Sequence, residues 1–342
     1  MKVALTGITG YAGLQLYYLL SQHPKVEAIQ IYQHDLEKPE HVAKLNPRLS
    51  EVTALAKPYD SGAIMEENDV LFLATPAGVS SHWAQPYLAA NFPVIDLSGD
   101  FRLKNPAQYE KWYQKDAASK DALAQAYYGL ADLKENPGQH YVANPGCYPT
   151  ATLLGLAPLV KQNLIEVDSI LVDAKSGLTG AGKALKKANH FVQANENLQV
   201  YKPNQHQHIP EILQMLQSWN PDVKQLQFMT TLVPVDRGIM ASIYVKVKAG
   251  ITEEKLEQAF REQYANAPFV FIQEEGLPDL KSVVGTNNCR IGLAYNPETK
   301  YLLVVSVIDN MLKGASGQAV QNFNQLFDFS STAGLHLQPL AF

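Results

Sequence analysis

Residues 2–20 read KVALTGITGYAGLQLYYLL, and this stretch decides the architecture. Residues 2–6 are a short, β-rich apolar run, and from 11 to 20 apolar side chains recur at helical spacing. Strand, tight turn and helix therefore follow one another directly. The turn carries Gly7, Gly10 and Gly13 in GITGYAG, spaced GxxGxxG rather than GxGxxG. Without Cβ atoms at such a turn, the backbone can approach a pyrophosphate while the helix N–H groups face it. The same spacing suits a plain structural turn, but its place after the first strand favours a dinucleotide site.

Working outward, residues 26–32, 69–74 (DVLFLA) and 94–97 read as further strands, with a helix over 79–90 between the last two. Strands alternating with helices predict an α/β fold, a doubly wound parallel sheet covered on both faces. Beyond Cys147 the rhythm changes. A strongly apolar helix over 150–160 leads to a strand near 170–174, a glycine-rich segment, and longer strands around 226–233 and 239–247. Alternation in the last of these predicts antiparallel pairing with one face toward a core, hence a second domain of mixed α+β character. Residues 311–327, amphipathic and rich in Ala and Gln, read as a final helix returning to the first domain. At 342 residues the chain exceeds one typical core. The expected division is a dinucleotide-binding domain over 1–146, completed by 311–342, and a second domain over 147–310.

Composition narrows the function. The chain is 46% apolar and 18% charged, as globular proteins are. Its net charge is −5 and no basic run or stripe could track a phosphate backbone, which argues against a nucleic-acid partner. No apolar stretch approaches the roughly 20 residues of a membrane-spanning helix. The glycine turn interrupts the first apolar run before a signal-peptide core develops, so the expected location is cytoplasmic. Cys147 and Cys289 are the two cysteines, too few for a disulfide framework. No CxxC or HExxH spacing offers a metal site, so none is expected.

Four places carry chemistry. Asp35 lies 22 residues after Gly13, near the distance expected of a carboxylate on an adenosine ribose; His34 and Lys38 beside it could meet a 2′-phosphate, and a solvated loop is the alternative. Cys147 stands in NPGCYPTAT, directly before a helix marked by Pro149, where unsatisfied N–H groups favour a thiolate. Cys289, in NNCRIG at a strand edge, lacks such surroundings and reads as structural. A thiolate needs a partner for the proton, and HQHIPEI supplies His206, His208 and Glu211, with Glu211 in the first turn of a helix beginning near Pro210. Residues 176–183 (SGLTGAGK) have the four-residue gap of a P-loop between Gly177 and Gly182, but Ala184 replaces the Mg²⁺-binding hydroxyl; an anion nest for a substrate phosphate is the remaining reading.

Taken in order, these motifs resemble the N-acetyl-gamma-glutamyl-phosphate reductase family across nearly the whole chain. GxTGYAG, DLSxDFR at 96–102, PGCYPT, SGxxGAG, HxHxPEI and DNxxKGAxGQAxQ at 309–321 stand in register. Departures are Gly99 for the family's more frequent Ala, Gln207 for Arg and Thr179 for Ser, and residues 32–38 lack the Ser/Arg signature associated with NADP. The resemblance implies a Rossmann domain and a mixed domain carrying catalytic groups and oligomer contacts, in a homodimer or homotetramer. It implies NADP held by Gly7, Thr9, Gly10, Tyr11, Ala12, Gly13, Thr75, Ser176, Gly177 and Asn310. It assigns Cys147 as nucleophile, His208 as acid/base with Glu211 behind it, and Arg102, Asn144, Gly180, Gly182 and His206 to substrate. The implied reaction is NADPH-dependent reduction of N-acetylglutamyl phosphate through a cysteine thioester in arginine biosynthesis. Its rivals are reductases of aspartyl phosphate or of carrier-linked aminoadipyl phosphate and, in another class, a non-catalytic NADP-binding sensor. The presence of both Cys147 and His208 argues against the sensor.

Overall fold

The structure, a computed structural model, describes residues 1–133 and 135–339. The chain forms two compact units, Met1–Pro145 with Ala315–His336, and Gly146–Gly314 with the residues from Leu337. The returning segment thus begins later than residue 311. Its helix is also shorter than the periodicity predicts, because Leu312–Ser316 winds as a π turn and only Gly317–Leu326 is α-helical.

The first unit is built on strands β1 (Lys2–Thr6), β2 (Ala28–Gln33), β3 (Glu40–His41), β4 (Leu55–Pro58), β5 (Val70–Leu73), β6 (Val94–Asp96), β7 (Ala126–Tyr128) and β8 (Tyr141–Ala143), in the order β3-β4-β2-β1-β5-β6-β8-β7. Every pairing is parallel except that of β3 with β4. Central strands of a sheet covered on both faces are apolar throughout. Accordingly Val3, Ala4, Leu5 and the whole of Val70–Leu73 are inaccessible to solvent. From β1 the chain moves outward through β2 to β4 on one side, then returns to β5 and moves outward on the other. The order therefore reverses between β1 and β5, the switch point outside whose carboxyl ends ligands bind in such sheets. Gly7 leaves β1 at that point and Thr75 leaves β5 beside it.

The second unit holds β9 (Leu171–Ser176), β10 (Gln199–Tyr201), β11 (Gln227–Leu232), β12 (Ile239–Lys246), β13 (Val270–Ile272), β14 (Cys289–Asn296) and β15 (Tyr301–Ile308), ordered β10-β11-β9-β12-β15-β14-β13. The expected antiparallel pairing holds for β12 with both β9 and β15, whereas β9 with β11 and β13 with β14 run parallel. One face of this sheet carries the helix Cys147–Lys161, in which every residue from Tyr148 to Val160 is buried. A helix apolar all round needs cover all round. Helices Ile209–Trp219 and Glu253–Tyr264 pack against it as well. Gly155 allows the close approach to the sheet, since a Cβ there would lie 2.6 Å from Ile243 Cδ1. On the opposite face Leu171, Met229, Tyr244 and Tyr301 are exposed.

Candidate active site

The glycine turn is closed to side chains where it folds and open where it faces outward. Gly7 has φ +81°, and a Cβ there would lie 2.2 Å from the Ala74 carbonyl oxygen. A Cβ on Gly13 would lie 2.1 Å from the Gly7 oxygen, so strand and helix meet backbone to backbone. Gly10, by contrast, would bring its Cβ no closer than 3.5 Å to anything. Gly10 caps the helix Tyr11–Ser21 without a side-chain bond, and no acidic residue occupies the first turn. The positive end of this helix therefore has no anion of its own, which suits a pyrophosphate. Ser316 Oγ donates to the Ala12 carbonyl at 3.0 Å and steadies the turn. Asp35 lies past the end of β2 in an exposed turn, its carboxylate 3.3 Å from His34 Nδ1.

Behind Thr75 sits a buried acidic cluster to which the sequence reading gave no role. Thr75 Oγ1 is 3.2 Å from Ser80 Oγ, which donates to Asp96 Oδ1 at 3.1 Å. Asp96 also accepts from the Ser98 amide (2.7 Å) and the Tyr141 hydroxyl (2.9 Å). Asp100 accepts from the amides of Gly78 and Ser81 and from the Tyr109 hydroxyl at 2.6 Å. It thereby caps the helix Ser80–Ala89, whose own N-cap, Val79, has no side-chain bond. Burial, then the charge of Asp100, pushes the Asp96 carboxyl up to about 6 against the hydrogen bonds from Ser98 and Tyr141. Arg102 is buried, with Nε donating to the Asn144 carbonyl (2.8 Å) and Nη2 to that of Leu97 (2.7 Å). The Asn144 side chain donates to the Ala315 carbonyl (3.1 Å) and accepts from Asn322 (2.9 Å). Both residues thus tie the chain after β8 to the first unit.

In the second unit Cys147 is the first residue of its helix rather than the residue before it, with Gly146 as N-cap and Pro149 inside the first turn. Gly146 has no side chain to cap the helix. Its amide instead donates to Glu211 Oε1 at 2.8 Å, and its carbonyl accepts from Thr150 Oγ1 at 2.9 Å. Glu211 is fully buried. From the other side Gly314 presses on the cysteine, since a Cβ there would lie 2.8 Å from Cys147 Cβ. Cys147 as a whole remains partly accessible.

His206 and His208 lie together, ring centroids 4.7 Å apart. The His208 amide donates to His206 Nδ1 at 3.2 Å, which puts the proton of a neutral His206 on Nε2. The rings of Tyr148, Tyr201 and Phe228 surround His206, and burial, aided by Lys202, pushes its imidazole down to about 3. His206 is therefore neutral near pH 7 and sets the backbone at His208. The hydroxyls of Tyr148 and Tyr201 are 2.9 Å apart, and burial pushes Tyr201 up to about 12. Neither phenol ionises near neutrality.

The glycine-rich segment 176–182 is not the anion nest that its composition suggests. The amides of Gly177, Leu178 and Thr179 donate to the carbonyls of Gly238, Val235 and Asp236, and those of Gly180 and Gly182 to Gly177 and Thr179. A nest needs outward N–H groups, and these already have partners. The glycines permit close packing instead: a Cβ on Gly177 would lie 2.8 Å from Asp236 and Arg237 backbone atoms, and one on Gly180 would lie 2.8 Å from Ser176 Oγ. Gly182 borders open space. Asn310 joins this segment, its Oδ1 accepting from the Gly238 amide (2.7 Å) and its Nδ2 donating to Thr179 Oγ1 (2.9 Å). Cys289 is fully buried at the start of β14, with its sulfur 3.4 Å from Ser306 Oγ.

Residues 2–140 match the family model "Semialdehyde dehydrogenase, NAD binding domain", and 147–310 match "Semialdehyde dehydrogenase, dimerisation domain". The chain is 54% identical over 340 residues to N-acetyl-gamma-glutamyl-phosphate reductase 2 of Lactiplantibacillus plantarum, with 99% of each chain covered. Over the same share it is 52% identical to N-acetyl-gamma-glutamyl-phosphate reductase of Limosilactobacillus fermentum and 49% identical to that of Listeria innocua. The chain belongs to the N-acetyl-gamma-glutamyl-phosphate reductase family. Its fold is shared more widely. Aspartate semialdehyde dehydrogenase II of Vibrio cholerae superposes with a TM-score of 0.68 at 17% identity, covering 96% of this chain and 98% of the other. The Candida albicans aspartate semialdehyde dehydrogenase, solved with NADP, gives 0.66 at 14%, covering 96% and 98%. In this reductase family member, a hydrogen bond from the amide of Gly146 to the carboxyl group of Glu211 joins the PGC and HxHxPE motifs.

Proposed function

We propose that this chain catalyses the NADPH-dependent reduction of N-acetyl-L-glutamyl 5-phosphate to N-acetyl-L-glutamate 5-semialdehyde, with release of phosphate, as a cytoplasmic step of arginine biosynthesis. The observation that carries the reading is Cys147 at the first position of a buried helix, in a chain 54% identical along its length to a reductase of that name. The Cys147 thiolate attacks the acyl carbonyl carbon, the oxyanion is stabilised by amides at the helix start, and phosphate departs with the electron pair of the broken bond. A thioester remains on Cys147. NADPH supplies a hydride to the thioester carbon when it is bound. His208 gives and takes the proton as the hemithioacetal collapses and the thiolate leaves.

Gly7, Gly10 and Gly13 would hold the pyrophosphate, with Thr9, Tyr11, Ala12 and Thr75 beside them. The family resemblance adds Ser176, Gly177 and Asn310 as cofactor contacts. The bare Gly10 and the anion-free start of the helix Tyr11–Ser21 support this fit. For the substrate we assign Arg102, Asn144, Gly180, Gly182 and His206. The preference for NADP over NAD belongs to the same proposal, as does a homodimer or homotetramer. The test is oxidation of N-acetylglutamate semialdehyde with phosphate and NADP+, run beside aspartate semialdehyde. Turnover of the first alone is expected; a preference for the second would overturn the assignment.

A further inference from the structure

The hydrogen bond between Glu211 and Gly146 gives the buried carboxylate a role that the spacing of HxHxPE does not suggest. Three residues from His208, Glu211 reads in sequence as the group that orients an imidazole. Yet its Oε1 lies 2.8 Å from the amide of the residue immediately before Cys147. We propose that Glu211 is a positioning residue for the nucleophile, holding through the Gly146 amide the backbone from which the Cys147 side chain projects.

This assignment rests on the reading of Cys147 as nucleophile. Three observations carry it. First, Gly146 stands at the N-cap with no side chain to cap its helix, and glycine has the widest conformational freedom of any residue. Without an external hold, the direction of the Cα–Cβ bond of Cys147 would vary with the torsions of its neighbour. Second, both polar groups of Gly146 are fixed: its N–H by Glu211, its carbonyl by the hydroxyl and amide of Thr150. Third, Glu211 is wholly buried in the first turn of the amphipathic helix Ile209–Trp219, between Pro210 and Ile212, also buried. An apolar side chain would pack there without desolvating a charge. Burying this polar group is offset by the hydrogen bond that it accepts from the Gly146 amide.

Removing the acceptor should disturb Cys147 even where the His208 imidazole is absent, and that separates the two roles. The variants are Glu211→Ala, Glu211→Gln and His208→Asn, with each Glu211 change also made on His208→Asn. The readouts are the second-order rate of Cys147 alkylation by iodoacetamide, located by mass spectrometry, steady-state kcat and KM, and NADP+ binding to the intact enzyme. Glu211→Ala is expected to slow alkylation about 10-fold and to lower kcat about 100-fold, the scale of a misplaced reacting atom, with KM and NADP+ affinity within about threefold. The slowing of alkylation should persist on His208→Asn. Glu211→Gln keeps an acceptor oxygen and should restore alkylation to within about threefold of wild type. If the effect of Glu211→Ala on alkylation vanishes on His208→Asn, Glu211 acts through the imidazole and the proposal is wrong. Should Glu211→Ala fail to fold, Glu211→Gln decides alone: alkylation as slow as about a tenth of wild type would overturn it. Failure of the underlying reading looks different, since wild-type enzyme alkylated at Cys147 would then retain its activity.

Discussion

Replacing Gly314 by alanine tests how tightly the nucleophile is held from its other side. The added Cβ would lie 2.8 Å from Cys147 Cβ, 3.2 Å from Cys147 Cα and 3.3 Å from Ile308 Cδ1. Carbon atoms in optimal contact stand about 3.5–4.0 Å apart, so the closest pair falls short by roughly 1 Å. Two of the three atoms belong to the first residue of a buried helix and cannot swing aside as a side-chain end would. Such overpacking costs about 1–3 kcal/mol, against which alanine regains roughly 0.5–1 kcal/mol of backbone entropy. The net loss, about 1 kcal/mol, corresponds to a fall in Tm of roughly 2–4 °C for a unit of this size. The catalytic effect should be far larger, because a displacement approaching 1 Å at the attacking atom lowers rates by up to about 100-fold. We expect kcat to fall about 10- to 100-fold with KM within a few-fold, measured by NADPH formation from the semialdehyde, and Tm recorded by calorimetry. A folded Gly314→Ala enzyme with kcat within twofold of wild type would refute the claim that this contact sets the thiol.

Further outcomes can be checked independently. Cys147→Ser should abolish nearly all turnover while leaving NADP+ binding intact, and Cys289→Ser should keep kcat within about threefold, since a buried structural thiol has at most a modest stability effect. In the oxidative direction NADPH formation should require phosphate or arsenate, and full activity in phosphate-free buffer would mean that the thioester is hydrolysed. NADP+ should give the higher kcat/KM; a preference for NAD+ would show that Asp35 closes on the ribose. Asp96, raised by burial and then by Asp100 to about 6 from an ordinary 3.8, binds its proton more tightly folded than unfolded. Its contribution to stability therefore declines as pH rises through that window. Asp96→Asn should gain on wild type between about pH 4 and 6 in denaturant titrations, and a difference that is flat across those pH values would show that Asp96 does not titrate there.

The first unit was legible where local chemistry speaks: β1, the glycine turn and the following helix are contiguous in sequence, and their periodicity is enough. Strands β7 and β8 were not, because three residues such as Ala126–Tyr128 carry no period and are strands only through pairing, β7 with β8 and β8 with β6. Cys147 was legible because proline, glycine and a helix start are all local. The partner of Glu211 was not, since Gly146 is 65 residues away and the contact is made by folding. Residues 177–182 misled for the opposite reason. Glycines signal backbone approach, but the sequence does not say whether a ligand or the protein's own backbone arrives, and here the carbonyls of Val235, Asp236 and Gly238 take the amides. The acidic pair Asp96 and Asp100 could have been suspected from two carboxylates flanking Ser98 in an apolar neighbourhood, though not the link from Asp96 through Ser80 to Thr75.

The burial of Cys289 makes the molecule its own stopwatch. Of the two cysteines, one meets solvent in the native state while the other, at the start of β14, lies against Ser306 beneath the sheet and is reached only when that sheet opens. Once Cys147 has been blocked, the slow appearance of a second label counts excursions of the second unit to an open form. Where closing outruns labelling, that rate reports the free energy of opening directly. Substrate analogues, cofactor and subunit association could then be ranked by how far each slows the same clock, with no probe added to the chain.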